Sequence, residues 1–419
     1  MKVFKFGGAS VKDASAIRNV ASIIKEYAAD KLLVVISATG KTTNALEEVV
    51  NAYYYNKGDA IALLGVVKDI HLNICRDLFG DGHHAVYDKI QNILVEVEWQ
   101  LEEKRKESYD YVYDQIVSIG ELLSTVIVSD YLNQMGADTQ WLDVRDVMKT
   151  DDTYREGKVD WEKTRLLVTS IVSPLLEHKI VITQGFIGST PENCTTTLGR
   201  EGSDYSAAIF ANMLDAESQT IWKDVPGVLS ADPKKFPDAI MMEELSYLEA
   251  VEMTYYGAQV IHPKTIKPLQ NKNIPLLVKS FINPEGKGTK VFKGTEHMQY
   301  PPVRVVKENQ ILISFHTKDF SFVADDEVIY LLTAFREENL RVNMMQNGAI
   351  SVQVCADHTP EKLKKVIDKA AVLFEVHAEE NLTLITIRHY NDAIIARHKE
   401  GKRALLEQRR PTTFQALLQ

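Results

Sequence analysis

The sequence predicts an α/β chain in which a mostly parallel sheet with crossover helices is followed by a small α+β unit. Three observations predict it. Strand-length apolar runs alternate with helix-length stretches through the first long portion. The character changes after Asn283-Pro284-Glu285-Gly286 and is complete at Pro301-Pro302. Beyond that point the pattern reads strand, helix, strand, strand, helix, strand, the order of a ferredoxin-like unit. At 419 residues the chain also exceeds what one core usually holds, so two domains are expected, residues 1–295 and 303–419.

Taken in order, Val3–Phe6 is a short strand, and Ile17, Val20, Ile24 and Tyr27 recur at helical spacing. Leu32–Ile36, Lys179–Gly185, Thr220–Trp222 and Leu276–Val278 are apolar runs of strand length. The stretch from Asn44 to Leu132 is helix-rich, and Glu96–Lys106 within it reads as a solvated helical excursion. Ser246-Tyr247-Leu248-Glu249 is a capping box for a helix that Gly257 ends. In the C-terminal part Ile311–Phe315 is a strand, and Val328, Leu331, Leu332 and Phe335 mark a helix face. Two alternating strands, Leu340–Met344 and Ile350–Val354, flank Asn347-Gly348, a hairpin signal. Pro360 opens a second helix bearing Leu363, Val366 and Ile367, and Leu382–Ile387 is the next strand. A last helix fits within Asn391–Lys399, with strands at Leu405–Gln408 and Thr413–Leu418.

Composition narrows the function. With 48 Lys+Arg against 58 Asp+Glu the formal charge is −10, which argues against nucleic acid as partner. Cys75, Cys194 and Cys355 form no CxxC pair, so a disulfide scaffold or cysteine zinc site is not expected. No run approaches the roughly 18 apolar residues of a membrane helix, and the N-terminus has no signal-peptide core. A cytoplasmic protein is expected.

Four segments carry chemistry. Lys5-Phe6-Gly7-Gly8 follows the first strand and precedes a helix; paired glycines admit phosphate oxygens to backbone N–H groups, and Lys5 adds a point charge. An ordinary tight turn would look the same. Ser37-Ala38-Thr39-Gly40-Lys41-Thr42-Thr43 ends like a P-loop, but Val35 stands where the first glycine is required, so a hydroxyl-rich ligand loop remains. Thr195–Ser206 places Arg200 between Gly199 and Gly202, with Ser203 or Asp204 as helix cap; a guanidinium there suits a carboxylate or phosphate. Trp222-Lys223-Asp224-Val225-Pro226-Gly227 ends a strand in a charged pair and a turn.

KFGGASV at Lys5–Val11, TTTLGREGSDYSAA at Thr195–Ala208, WKDVPGVLSADP at Trp222–Pro233 and GAQVIHP at Gly257–Pro263 together resemble aspartokinase. The resemblance implies the amino acid kinase fold, a three-layer α/β/α sandwich, followed by ferredoxin-like ACT units, of which the second is abbreviated. It implies transfer of the ATP γ-phosphoryl group, with Mg²⁺ carried on ATP, to the side chain of L-aspartate. By motif, Lys5 is the catalytic lysine, Gly7 and Gly8 its phosphate loop, and Asp204 the catalytic aspartate. Ser37, Thr43, Glu121, Arg200 and Ser203 fall on the aspartate contacts. Lys223, Asp224, Leu229, Lys234 and Gln259 fall on the nucleotide segment. Glu201, Leu229, Lys234 and Gln259 depart from the family's usual glycine, tyrosine, arginine and lysine; Lys264 lies near enough to Gln259 in sequence to stand in for the missing cation. The resemblance further implies a homodimer or higher oligomer through the ACT region, and an amino-acid effector there. Two other readings are a kinase for a different acid and a ligand sensor with a decayed kinase domain.

Overall fold

The computed structural model describes residues 1–103, 106–258, 261–295 and 298–419. Strand β1 (Lys2–Phe6) leads into α1 (Ala14–Glu26), whose cap Asp13 accepts the Ala16 N–H at 2.8 Å. After β2 (Leu32–Ile36) come five helices: α2 (Thr42–Tyr55), α3 (Ala60–Phe79), α4 (Val86–Glu102), α5 (Tyr109–Val117) and α6 (Ile119–Gln134). Then follow β3 (Thr139–Leu142), α7 (Trp161–Leu167), α8 (Ser173–Leu175) and β4 (Ile180–Gln184). The short hairpin β5 (Ile187–Ser189) and β6 (Thr195–Thr197) precedes α9 (Gly202–Met213) and β7 (Ser218–Lys223). Strand β8 (Glu244–Ser246), α10 (Tyr247–Tyr256), α11 (Pro263–Lys272), β9 (Leu276–Ser280) and β10 (Thr289–Phe292) complete this part.

Eight strands form one sheet in the order β3-β4-β2-β1-β7-β9-β10-β8, parallel except for the β9–β10 pair. Chain order runs outward from β1 through β2 on one side and from β7 through β9 on the other. The seam between β1 and β7 is therefore the point where parallel α/β sheets open a crevice at their carboxyl ends. Phe6 and Trp222 pair across that seam and stack at 5.8 Å and 5°, with Phe4 edge-on to Trp222 at 5.5 Å. The stacked indole and rings anchor the underside of the crevice.

The chain folds as two units, the first made of residues 1–228, 241–251 and 261–296 and the second of 229–240, 252–260 and 297–419. The second unit adds β11 (Val303–Thr317), α12 (Asp325–Glu337), β12 (Val342–Asn347), β13 (Ser351–Asp357), α13 (Pro360–Ala370), β14 (Phe374–Arg388), α14 (Asp392–Lys399), β15 (Ala404–Arg409) and β16 (Thr413–Leu418). Their antiparallel sheet has the order β12-β13-β11-β14-β16-β15, the arrangement of ACT units side by side. Within this unit the buried Arg304 guanidinium pairs with Asp238 at 2.9 Å and lies 4.4 Å from the Phe236 ring, which fastens residues 229–240 to it.

Four expectations are corrected. β11 and β14 are 15 residues each rather than short strands, because each continues through a bulge or a polar stretch to pair along its whole length. On α12 the core face is Leu331, Ala334 and Phe335, whereas Leu332 is 42% exposed; a 100° step takes it off the face. Neither Ser203 nor Asp204 caps α9: Glu201 occupies that position with φ +57°, so both lie inside the first turn. Finally, Tyr109–Gln134 is long and apolar enough by length and composition to cross a membrane, yet 94% of its apolar window is buried inside the protein. It is a pair of core helices, exposed mainly at Asp110 on α5 and at the end of α6.

Candidate active site

Lys5 is the penultimate residue of β1, flanked by the buried Phe4 and Phe6. Its ammonium meets the Asp204 carboxylate at 2.6 Å, with the two side chains 12% and 1% exposed. Asp204 lies in the first turn of α9, where the helix dipole favours an anion. Burial pushes its carboxyl up, but Lys5, then Lys223, outweigh this and hold it below the ordinary carboxylate range. Lys5 also folds over the Gly7 turn: a Cβ on Gly7 would lie 3.6 Å from Nζ. Gly8 is required for a different reason. A Cβ there would fall 2.7 Å from the Ala38 carbonyl and 2.8 Å from that of Gly40. The two loops lock together through the Gly40 N–H, which donates to Gly8 O at 3.0 Å.

Glu121 arrives from the first turn of α6 and is 3% exposed. Gly120 permits this, since a Cβ at 120 would already stand 3.0 Å from the Ala38 side chain. Oε1 accepts the Ala38 N–H at 3.3 Å, while buried Oε2 has no partner among the described residues. Burial raises the carboxyl to about 8, opposed by the Ala38 N–H and by Lys5. An unpartnered buried oxygen of this kind is a receptor for a cation or a donor.

These groups share one cavity of about 700 Å³. Lys5, Asp204 and Glu121 line it with Arg200 and Ser203 from the β6–α9 loop and the start of α9, and with Ser37 and Thr43 from the β2–α2 loop and α2. Lys5 and Arg200 therefore border one space. Lys223, at the end of β7, acts on Asp204 by charge. Asp224, Leu229 and Lys234 do not line the cavity, and Gln259 lies outside the described residues. Lys264 brings its ammonium within 3.8 Å of where a Cβ on Gly199 would be, beside the loop that carries Arg200.

A further part of the cavity wall was not foreseen. Asp110, Tyr113, Thr153, Tyr154, Arg155 and Glu156 also line the cavity. The available signal was the turn-forming run Asp151-Asp152-Thr153-Tyr154-Arg155, but nothing in its spacing separates a ligand loop from a surface turn. The arrangement as a whole offers fixed cations at the carboxyl ends of strands and one proton-bearing carboxyl. It suits the joining of two anions, one of which also bears an ammonium group.

Comparison with known proteins agrees. The profile of the Amino acid kinase family matches residues 1–280. Lysine-sensitive aspartokinase 3 of Escherichia coli (strain K12) is 32% identical over 396 residues, 92% of this chain and 86% of that one. A bifunctional aspartokinase/homoserine dehydrogenase 2, chloroplastic, of Arabidopsis thaliana is 36% identical over 294 residues; the match spans 68% of this chain and 32% of that longer protein. The crystal structure of E. coli aspartokinase III in complex with aspartate and ADP superposes with a TM-score of 0.82 at 28% identity, covering 100% of this chain and 96% of that one.

Proposed function

The chain belongs to the amino acid kinase family and, within it, to the aspartokinases, and on that basis we propose how its cavity carries out their reaction. The protein is an ATP-dependent aspartate kinase: an oxygen of the L-aspartate side-chain carboxylate attacks the γ-phosphorus of ATP. The bond from that phosphorus to the bridging oxygen breaks, its electrons leave on ADP, and 4-phospho-L-aspartate forms, the entry to lysine, threonine and methionine synthesis.

The observation that carries the reading is the 2.6 Å Lys5–Asp204 pair inside a cavity that also holds Arg200 and Glu121. A carboxylate nucleophile is ionised at neutral pH, so no general base is needed. The barrier is repulsion between two anions, and preorganised cations lower it. In our assignment Lys5 neutralises the transferring phosphoryl oxygens and Asp204 holds Lys5 in place. The Gly7 and Gly8 amides cradle phosphate, and Lys223, Asp224, Leu229, Lys234 and Gln259 serve the nucleotide. Arg200 and Ser203 take a substrate carboxylate, Glu121 takes the ammonium through Oε2, and Ser37 and Thr43 complete the acceptor site. When bound with ATP, Mg²⁺ supplies further neutralisation of the phosphates. Residues 1–295 are the catalytic domain and 303–419 the regulatory ACT region, through which we expect a homodimer and an amino-acid effector. The three free cysteines fit a cytoplasmic location.

The test is ADP release with aspartate and with glutamate, in the native enzyme and in Lys5→Ala. Turnover with aspartate should fall by several orders of magnitude in the variant, while equilibrium aspartate binding persists. Surviving turnover would reduce Lys5 to a turn residue. Preference for glutamate would change the acceptor.

A further inference from the structure

The cavity contains a second guanidinium, and one buried carboxylate fixes the backbone on which both are carried. Arg155 belongs to the 151–157 turn and has φ +67°, a left-handed backbone that a non-glycine residue keeps only when its surroundings hold it. Asp114 on α5 supplies the hold. Its side chain is fully buried, and Oδ2 accepts the Arg155 N–H and the Thr197 N–H, each at 2.8 Å. Oδ1 accepts the Thr197 hydroxyl at 2.7 Å. Thr197 ends β6, three residues before Arg200. A single carboxylate thus sets both segments, one bearing Arg155 and the other Arg200. The two segments also touch, because a Cβ on Gly199 would sit 3.1 Å from the Arg155 carbonyl.

The Arg155 side chain is arranged for use as a cation. Its guanidinium carbon lies 4.3 Å from the Tyr113 ring centroid, and Tyr113 is itself part of the cavity wall. Stacking restrains the guanidinium plane while leaving its N–H edges available. Among the described residues its carboxylate partner is Asp110, at a long 3.5 Å. A substrate carboxylate at 2.7–2.9 Å would be the stronger partner. Glu121 accounts for an ammonium and Lys5 for the transferring group, which leaves two guanidiniums for the carboxylates of a dicarboxylic acceptor.

We propose that Arg155 is a second cation of the acceptor subsite, binding a carboxylate of the acidic substrate alongside Arg200, and that Asp114 is the positioning residue for both. The inference rests on reading the cavity as the acceptor site. It is tested on the full chain by steady-state kinetics of Arg155→Ala, Arg155→Lys and Asp114→Asn. Arg155→Ala should raise the aspartate KM about tenfold, with the ATP KM and kcat within about twofold of native, and Arg155→Lys should recover part of the loss. Asp114→Asn removes the charge that strengthens the bonds to the Arg155 and Thr197 N–H groups and leaves one oxygen to accept them, with its amide facing the Thr197 hydroxyl, so it should raise the aspartate KM. A rise of less than threefold in Arg155→Ala overturns the role of Arg155. An Asp114→Asn protein that melts earlier with its aspartate KM unmoved overturns the positioning role. If the native enzyme releases no ADP with any acid, the acceptor reading has failed as well; normal native turnover with an unmoved Arg155→Ala KM sinks this inference alone.

Discussion

Glu121 shows how much one side chain draws from its surroundings. Unfolded, its carboxyl titrates near 4.5; folded, it keeps its proton to about 8 because burial penalises the anion. The folded state therefore binds more protons across this window. Its stabilising share is complete below about 4.5 and is lost as pH rises through 8. The melting temperature should fall by a few degrees between pH 6 and 9, and less so in Glu121→Gln, which has nothing to ionise. On the proposed assignment aspartate binding works against the same proton, since an ammonium group favours the carboxylate. The kcat/KM for aspartate should climb with pH along a limb near 8 that Glu121→Gln lacks, and the variant's aspartate KM should rise roughly tenfold to a hundredfold. A limb that persists in the variant would take Glu121 out of the ammonium site. Lys5, Arg200 and Asp204 were legible from motif because glycine spacing and charge mark them locally. Asp114 and Arg155 were not, because their partners lie 83 and 41 residues away across the fold.

At the level of elements, helices were read more reliably than strand lengths. The predicted Ser246 cap of α10 is present, with Ser246 Oγ accepting the Glu249 N–H at 3.1 Å, and Asn391 caps α14 through the Ile394 N–H at 2.9 Å. Such bonds close within four residues, so a local pattern reveals them. β14 begins at Phe374, eight residues before the predicted strand, because the polar run Glu375–Asn381 looks like a loop and becomes strand by pairing with β11. The same long-range logic governs α6. It is buried on nearly every side, so no one-sided period marks it, and its placement depends on Gly120 against Ala38. Gly120→Val should push α6 away from the Ala38 turn, costing roughly 1–3 kcal/mol in chemical denaturation through overpacking. Because Glu121 is the next residue, the aspartate KM should rise while the ATP KM holds. Equal changes in both would argue that the helix merely supports the fold.

Across the whole molecule, charge and cysteine usage constrain behaviour without specifying chemistry. Cys75 and Cys355 are buried, and burial is the main reason both thiols are raised to about 12; Cys194 is partly exposed. Thiol titration of the native enzyme should therefore count one rapidly reacting group and reach three only in denaturant. Two fast thiols would mean that one of these cores opens readily. The eight-stranded sheet brings the ends of β1, β2, β4 and β7 to one edge, which is why residues as distant in sequence as Lys5, Glu121 and Arg200 meet.

From amino-acid order alone came the α/β class, the ferredoxin-like order, the paired glycines after the first strand and the arginine between glycines, because each is written in contacts between near neighbours; the resemblance to aspartokinases supplied the chemistry. Folding added the electrostatics: a carboxyl at 121 that keeps its proton, an aspartate at 204 that does not, and a turn at 155 strained into the cavity wall. Those properties arise from burial and from partners brought together across scores of residues, and no short window of sequence contains them.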